Sequence, residues 1–176
     1  CVKIGAALNL SLKQMDRIKL LAKFHDIGKV GIPENILQKQ DALNNEDWEH
    51  LRRHSEIGYY ISKEFKDASP IDELILIHHE RWDGKGYPRG IRGHEIPLSA
   101  RIVAVVDVYD ALVNKRCYKP PFTYAQAAKI IEEGAGTHFD PDIVRVFKTV
   151  IDKFEEIERE HSDEDEGASP QLEKHR

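Results

Sequence analysis

The sequence predicts a single all-α domain of about six or seven helices. Apolar residues recur at spacings of three, four and seven through most of the chain, and no stretch shows the alternation that is typical of a half-buried strand. A capping box, in which Ser or Thr is followed three residues later by Gln, precedes two of the apolar stretches. A chain of 176 residues is long enough for one good core and too short for two.

Two long helices are predicted in the first half of the chain. The capping box at Ser11 begins the first helix, over about 12–27, and the glycines and the proline that follow this range end it. Asn44 or Asn45 can cap the second helix, which runs to about Phe65.

Four further helices are predicted in the second half. A proline in the first turn favours a helix over about 70–81, and a glycine-rich loop then runs to Pro97. The apolar segment 101–113 fits a buried strand or a buried helix, and its length and alanine content favour the helix. Capping residues predict the last two helices, over about 125–134 and 141–159.

The bulk composition excludes several classes of protein. The net charge is −5, but eight acidic residues and one arginine fall within 155–166, so the rest of the chain is near neutral. No cluster of Lys and Arg suggests a surface for polymeric nucleic acid, and no apolar run could cross a bilayer. Cys1 and Cys117 form neither a disulfide framework nor a zinc pair, which favours a cytoplasmic location. We predict a domain over 1–160 and an acidic, disordered tail over 161–176.

Four of the predicted helices carry imidazole or carboxylate groups where the apolar pattern calls for a hydrophobic residue. The first example is His25, which follows Leu21 by four residues and is followed by an aspartate. The six residues concerned are His25, Asp26, His54, His78, His79 and Asp107.

These six residues predict a two-metal centre. A single buried histidine is more often a satisfied core residue, and a single buried aspartate is more often a helix cap or half of an ion pair. Six such groups without partners would cost several kcal/mol each, and few basic residues share their faces. Imidazole and carboxylate suit divalent transition metals, and six ligands exceed one tetrahedral site. Asp26 could then bridge two ions through its two oxygens.

Six segments in this order carry a resemblance to a known family. They are HDIGKVGIP from His25, RRHSEIG from Arg52, HHERWDGKGYPRG from His78, RIVAVVDVYDAL from Arg101, RCYKPPF from Arg116 and GTHFDP from Gly136. Together they resemble the HD-GYP family, a branch of the HD-type phosphohydrolases. The resemblance covers about 8–154, and the complete Gly-Tyr-Pro triplet makes it specific.

The resemblance implies a helical, metal-dependent phosphodiesterase that opens cyclic diguanylate (c-di-GMP) in bacterial second-messenger signalling. The product would be the linear dinucleotide pGpG, with GMP as the further product. The resemblance makes the six residues above metal ligands, for iron or manganese first and for nickel, magnesium or zinc as alternatives. It also implies an upstream receiver or sensor domain, and a homodimer is a further possibility.

Further roles follow from the same resemblance. Lys29 matches the catalytic lysine of the family, and Asp26 also belongs to the catalytic machinery. The substrate-binding residues would be Gly86, Tyr87, Pro88, Asp110, Arg116 and Lys119. From the residues alone, Lys29 would be a solvated lysine at a helix end and Arg116 a surface residue near a turn.

One departure from the family concerns the segment before the first His-Asp pair. Many members supply a further metal ligand from an upstream helix, whereas the 24 residues before His25 contain no His or Glu. We therefore expect that helix to be missing or cut, and a third metal ion to lack its ligand. Two rival functions stay open: an HD-type hydrolase of another nucleotide, and a binding module for cyclic dinucleotides or proteins that has lost turnover.

Overall fold

The computed structural model describes residues 1–64, 71–114 and 121–151, and the regular structure in these ranges is helical. Two short 3-10 helices, Ile27–Gly31 and Gly93–Glu95, and one isolated bridge between Ala135 and Phe139 complete it. The predicted all-α class is confirmed. The eight α-helices in the described ranges are α1 Val2–Ala7, α2 Leu12–Phe24, α3 Glu34–Leu37, α4 Asn45–Lys63, α5 Asp72–Leu76, α6 Leu98–Val113, α7 Tyr124–Glu133 and α8 Pro141–Val150.

The predicted caps form. The side chain of Ser11 accepts a hydrogen bond from the backbone of Gln14, which returns one, and Thr123 with Gln126 repeats the pattern at α7. Asn44 caps α4 in the same way. Because each box satisfies amide groups that a helix start leaves without partners, these helices begin where the sequence places them.

Two predicted helix ends are wrong, and both lie at candidate ligands. The first long helix ends at Phe24 instead of Ile27, with His25 as its C-cap, and the chain continues in the 3-10 helix Ile27–Gly31. The third ends at Leu76 instead of about Arg81, because the backbone turns there with a hydrogen bond from the Glu80 amide to the Ile77 carbonyl (3.0 Å).

Several sequence predictions lie outside the described residues. These are the Ser69-Pro70 start of the third helix, the extension of the last helix to about Arg159 and the acidic tail. The helices α1 and α3, which are short, were not predicted. α1 contacts α2 and α8 and buries Ile4 completely.

The centre of the core is α6, which contacts α2, α5, α7 and α8. Its residues Ile102, Val103 and Val105 are at most 2% exposed, which explains why this segment is apolar on nearly every face. The helical alternative for segment 101–113 is confirmed. In the described ranges, no helix combines the length and the apolar character that crossing a membrane requires.

The 3-10 helix Ile27–Gly31 packs against α4 through two glycines. A Cβ atom on Gly28 would lie 1.8 Å from the carbonyl oxygen of His54 and 2.5 Å from the amide nitrogen of Gly58. A Cβ atom on Gly58 would lie 2.8 Å from Cγ2 of Ile75. This backbone contact brings the His25-Asp26 pair against the helix turn that carries His54, so glycine is required here by close approach.

We expect Gly28→Ala to destabilise the domain by about 3 kcal/mol or more, because backbone atoms cannot move aside for the new methyl group. Gly31→Ala is the matched control in the same 3-10 helix. Its Cβ would meet two methyl groups of the half-buried Ile57 side chain, Cδ1 at 3.0 Å and Cγ2 at 3.1 Å, and no backbone atom, so the change should cost clearly less, about 1 kcal/mol. Urea unfolding of both variants measures the difference, and equal midpoints would refute the close-contact argument.

Candidate metal centre

The structure brings all six predicted ligands to one place. One potential ligand atom from each of Asp26, His54, His78 and His79 lies within 4.8 Å of the other three. Nε2 of His25 lies 3.5 Å from Oδ2 of Asp26 and 3.4 Å from Oδ1 of Asp107. The ligands come from the end of α2, from α4, from the turn after α5 and from α6.

Three of the histidines are oriented by the same local hydrogen bond. In each, Nδ1 lies within hydrogen-bond distance of the backbone carbonyl three residues earlier, and a carbonyl can only accept, so Nδ1 carries the proton. The neutral ring then has a bare lone pair on Nε2, which faces the centre. The pairs are His25 with Ala22 (3.0 Å), His54 with Leu51 (2.6 Å) and His78 with Ile75 (2.5 Å).

Not all of the nitrogen atoms that converge on the centre can satisfy one another. Nε2 of His54 lies 3.3 Å from Nε2 of His78, and with both protons on Nδ1 two lone pairs face each other. Nε2 of His25 is buried and makes no well-formed hydrogen bond, although two carboxylate oxygens are near. Buried polar atoms without partners cost free energy, and a divalent cation would remove that cost. The donor set therefore fits a divalent metal site.

The two oxygens of Asp26 face different ligands. Oδ1 lies 3.4 Å from Nε2 of His54. Oδ2 lies 3.5 Å from Nε2 of His25, which is also 3.4 Å from Oδ1 of Asp107. A carboxylate in this position is suited to bridge two ions, as the sequence predicts. The ammonium group of Lys29, from the 3-10 helix, hydrogen-bonds Oδ2 of Asp26.

The electrostatics hold most ligands in the protonation state that a metal ion needs. Burial, together with the neighbouring imidazoles, lowers the pKa of His78 to about 4 and that of His79 to about 2. Burial opposes ionisation of Asp107, but His25 outweighs it and lowers the pKa of Asp107 to about 2. For His25, burial is likewise outweighed by the two carboxylates, and its pKa is raised. Neutral imidazoles and ionised carboxylates are the metal-binding forms.

The Gly-Tyr-Pro segment lies directly against this cluster. A Cβ atom on Gly86 would fall within 2.4–2.6 Å of backbone atoms of His79, Glu80 and Arg81, so the loop folds back on the ligand pair. The ring of Tyr87 stacks on His79 with centroids 4.9 Å apart and planes at 28°. Burial raises the pKa of Tyr87, so its phenol is neutral. The bond to Pro88 is cis.

Two residues near the loop were missed by sequence reasoning. Glu80 is 3% exposed, and its Oε1 accepts hydrogen bonds from the backbone amides of Arg89 (2.7 Å) and Gly90 (3.1 Å). Arg52 holds its guanidinium 5.2 Å from the centre of the Tyr87 ring. Glu80 could have been suspected from its position directly after the ligand pair, whereas nothing local in the sequence distinguishes Arg52 from its charged neighbours.

The GTHFDP segment anchors the base of the same loop. The amides of Trp82 and Asp83 donate to the carbonyls of His138 (3.1 Å) and Thr137 (2.8 Å). Asp140, 2% exposed, pairs with Arg101, whose Nε donates to the carbonyl of Ile96 (2.8 Å) at the far end of the loop. These bonds fix both ends of the loop on α6 and α8.

The remaining predicted substrate residues are less defined. Asp110 lies exposed on α6, one turn beyond Asp107. Arg116 and Lys119 lie outside the described residues, as does Cys117. Their roles stay predictions.

Comparison with known proteins assigns the chain to a family. A family model described as an HD domain matches residues 1–143. A cyclic di-GMP phosphodiesterase of Thermotoga maritima is 40% identical over 167 residues, which is 93% of this chain and 45% of the relative. A 3'3'-cGAMP-specific phosphodiesterase 2 of Vibrio cholerae is 37% identical over 156 residues, 88% of this chain and 30% of the relative.

A solved structure supports the fold. The crystal structure of a cyclic GMP-AMP specific phosphodiesterase of Vibrio cholerae superposes with a TM-score of 0.66 at 20% sequence identity, and the match covers 86% of this chain and 41% of that chain. The chain spans less than half the length of the curated relatives that it matches.

We expect the metal-free domain to lose stability as the pH falls from about 6.5 towards 4. The lowered pKa of His78 means that the unfolded chain binds more protons in this window, so the free energy of unfolding rises with pH. At about 1.4 kcal/mol per pKa unit, His78 alone contributes at most about 3 kcal/mol, and His79 acts in the same direction. The raised pKa of His25 acts in the opposite direction, because its stabilising effect is lost as the pH rises through that pKa.

Urea unfolding of chelator-treated protein at pH values from 7.5 to 4 measures this dependence. His78→Leu is the matched variant, because it keeps an apolar volume and removes the titrating group, so its stability should fall less over the same range. If the free energy of unfolding depends on pH equally in the two proteins, His78 is not the source of the dependence.

Proposed function

The chain belongs to the HD domain family, in its HD-GYP branch, and on that premise we propose that it hydrolyses cyclic diguanylate to the linear dinucleotide pGpG, with GMP as a further product. The observation that carries the proposal is the convergence of bare imidazole nitrogens and carboxylates beneath the Gly-Tyr-Pro loop. The similarity to a relative named as a cyclic di-GMP phosphodiesterase supports it.

We propose that the centre holds two divalent transition-metal ions. His25, Asp26 and Asp107 would hold one, and Asp26 would share the other with the remaining three histidines, His54, His78 and His79. Imidazole and carboxylate ligands favour iron or manganese, with nickel, magnesium or zinc as alternatives. When bound, such ions supply Lewis acidity and lower the pKa of a coordinated water.

The chain's own groups then account for the rest of the chemistry. Hydrolysis adds water across a phosphoester bond, and the oxygen that leaves phosphorus must take up a proton. Lys29 lies against Asp26 with 44% of its side chain exposed, so its ammonium can reach a phosphate there. From this position Lys29 can donate that proton or stabilise the charge that grows on the phosphate oxygens.

Substrate binding is proposed for the loop and for Asp110, Arg116 and Lys119. Gly86 and Pro88 shape the loop that carries Tyr87, and Asp110 lies one turn beyond a ligand. The roles of Arg116 and Lys119 rest on the resemblance of RCYKPPF, and a planar guanidinium is suited to a phosphate or a guanine edge.

A second candidate substrate is 3'3'-cGAMP, which the specificity named for the Vibrio cholerae relative favours. The two cyclic dinucleotides present the same phosphodiester linkage and differ in one purine base. Incubation of metal-loaded protein with both compounds, and chromatography of the products, would decide between them. Binding of either without turnover would favour the rival function of a non-catalytic binding module.

The cytoplasmic location, the receiver or sensor domain upstream and the homodimer remain predictions from the sequence.

We expect Asp26→Ala to remove both ions, because one carboxylate serves both halves of the centre. Metal analysis of protein purified without oxygen, with iron or manganese supplied, measures the stoichiometry. The wild-type chain should hold two ions. Full occupancy in Asp26→Ala would contradict the bridging role.

We expect Lys29→Ala and Arg116→Ala to fail differently. Arg116→Ala removes bonds that form in the ground state and in the transition state alike, so it should mainly weaken c-di-GMP binding. Lys29→Ala should keep binding nearly intact and lower turnover about a hundredfold or more if Lys29 is a general acid. Metal content should stay unchanged in both variants.

Binding titrations and single-turnover rates on metal-loaded protein separate these effects. If Lys29→Ala loses affinity and keeps its single-turnover rate, the lysine holds the substrate and is no catalyst.

A further inference from the structure

His79 is the exception among the four ligand histidines. The other three each have Nδ1 within hydrogen-bond distance of a backbone carbonyl three residues earlier. Within the described ranges, the hydrogen-bond contact of the His79 ring is the one between its Nε2 and Nε2 of His54 (3.2 Å). That contact lies on the side of the ring that faces the metal centre. It therefore cannot orient the ring as the Nδ1 bonds of the other three histidines do.

The ring of Tyr87 takes the place of the missing bond. It stacks on His79 with centroids 4.9 Å apart and planes at 28°, while His78 lies on the ring with centroids 4.0 Å apart and planes at 41°. Rotation of the His79 ring about its own bond would cost the stacking contact. Groups that orient a ligand imidazole commonly change metal affinity by ten- to a hundredfold.

The loop is built to keep Tyr87 there. The amide of Tyr87 approaches the carbonyl of His79 at 3.4 Å, and Gly86 lies against the backbone of the same ligand pair. Glu80, the next residue after His79, closes the loop through the amides of Arg89 and Gly90. The loop thus begins and ends on the segment that carries the ligand.

A cation also lies over the Tyr87 ring. The guanidinium of Arg52, two residues before the candidate ligand His54 on α4, lies 5.2 Å from the ring centre. The Tyr87 ring therefore contacts a cation from α4 as well as a candidate ligand from the turn after α5. A cation over a tyrosine ring is attracted to it, which favours this stacked position.

We propose that Tyr87 is a positioning residue for the metal ligand His79, and that Glu80 maintains this position by closing the loop. The inference rests on the metal centre of the proposed function and adds a role in metal affinity to a tyrosine otherwise assigned to substrate. On this view the Gly-Tyr-Pro loop completes the metal site before any substrate arrives.

The test is a titration of metal-free protein with Mn²⁺ or Co²⁺ in competition with a chelator. Tyr87→Ala should weaken the binding of one ion by about ten- to a hundredfold and change the visible absorption of the Co²⁺ form. Tyr87→Phe keeps the ring and should bind like the wild type. Glu80→Ala should weaken binding in the same direction, and Glu80→Gln, which retains an acceptor oxygen, should restore most of it.

His94→Ala is the control for loss of an aromatic contact in the same loop. It removes the edge contact with Trp82 (5.1 Å between centroids) and the contact of Nδ1 with the Arg101 guanidinium (3.3 Å). Arg101 keeps its bonds to Asp140 and to the Ile96 carbonyl, and no candidate ligand loses a contact, so the metal affinity should equal that of the wild type. Tyr87→Leu keeps apolar bulk without an aromatic face, and should also bind metal more weakly; it serves if Tyr87→Ala does not fold.

Equal metal affinity and equal Co²⁺ absorption in the wild type, Tyr87→Ala and Tyr87→Leu would overturn the inference. A wild type that binds ions but cleaves no c-di-GMP would overturn the proposed substrate alone. A wild type that binds no ion would overturn the metal centre and this inference with it.

Discussion

The hydrogen bond between a histidine Nδ1 and the carbonyl three residues before it is the constraint on which the centre depends. It recurs at His25, His54 and His78, and in the neutral form of each ring it leaves Nε2 without a proton and aimed inward. The bond is local, so each helix or turn delivers an oriented lone pair by itself. What the tertiary fold must add is to bring these segments together, and their mutual repulsion is then relieved by a cation.

The close approach of these segments requires two helices to end early and requires glycine at a point of backbone contact. α2 ends at Phe24 and α5 at Leu76, because the residues that follow must leave the helical path to present adjacent ligands. The contact of Gly28 with the backbone of α4 then sets the distance between Asp26 and His54. Burial of apolar side chains on and around α6 stabilises the fold, and this offsets the free-energy cost of grouping polar side chains at the centre.

The sequence predicted the clustering of the candidate ligands better than the geometry around them. Imidazoles and carboxylates that interrupt an apolar face, such as His25 and Asp107, are visible in any helical projection. The early helix ends were mispredicted because local propensity continues through them and only tertiary contacts end them. Glu80 and Arg52 were missed for a related reason: their partners are backbone amides nine and ten residues away and a ring from another segment.

The groups proposed to cleave the substrate are different from the groups that could recognise its bases. On the proposed function, the six candidate ligands and Lys29 act on the phosphodiester linkage, which c-di-GMP and 3'3'-cGAMP share. Discrimination between guanine and adenine must therefore come from groups that reach the edges of the bases, because only those edges differ in their donors and acceptors. Asp110, exposed one turn beyond Asp107, is placed to reach outward from the ligands, and an ionised carboxylate can only accept hydrogen bonds. The proposed metal chemistry can thus act on either compound, and the choice between them rests with groups that contact the bases.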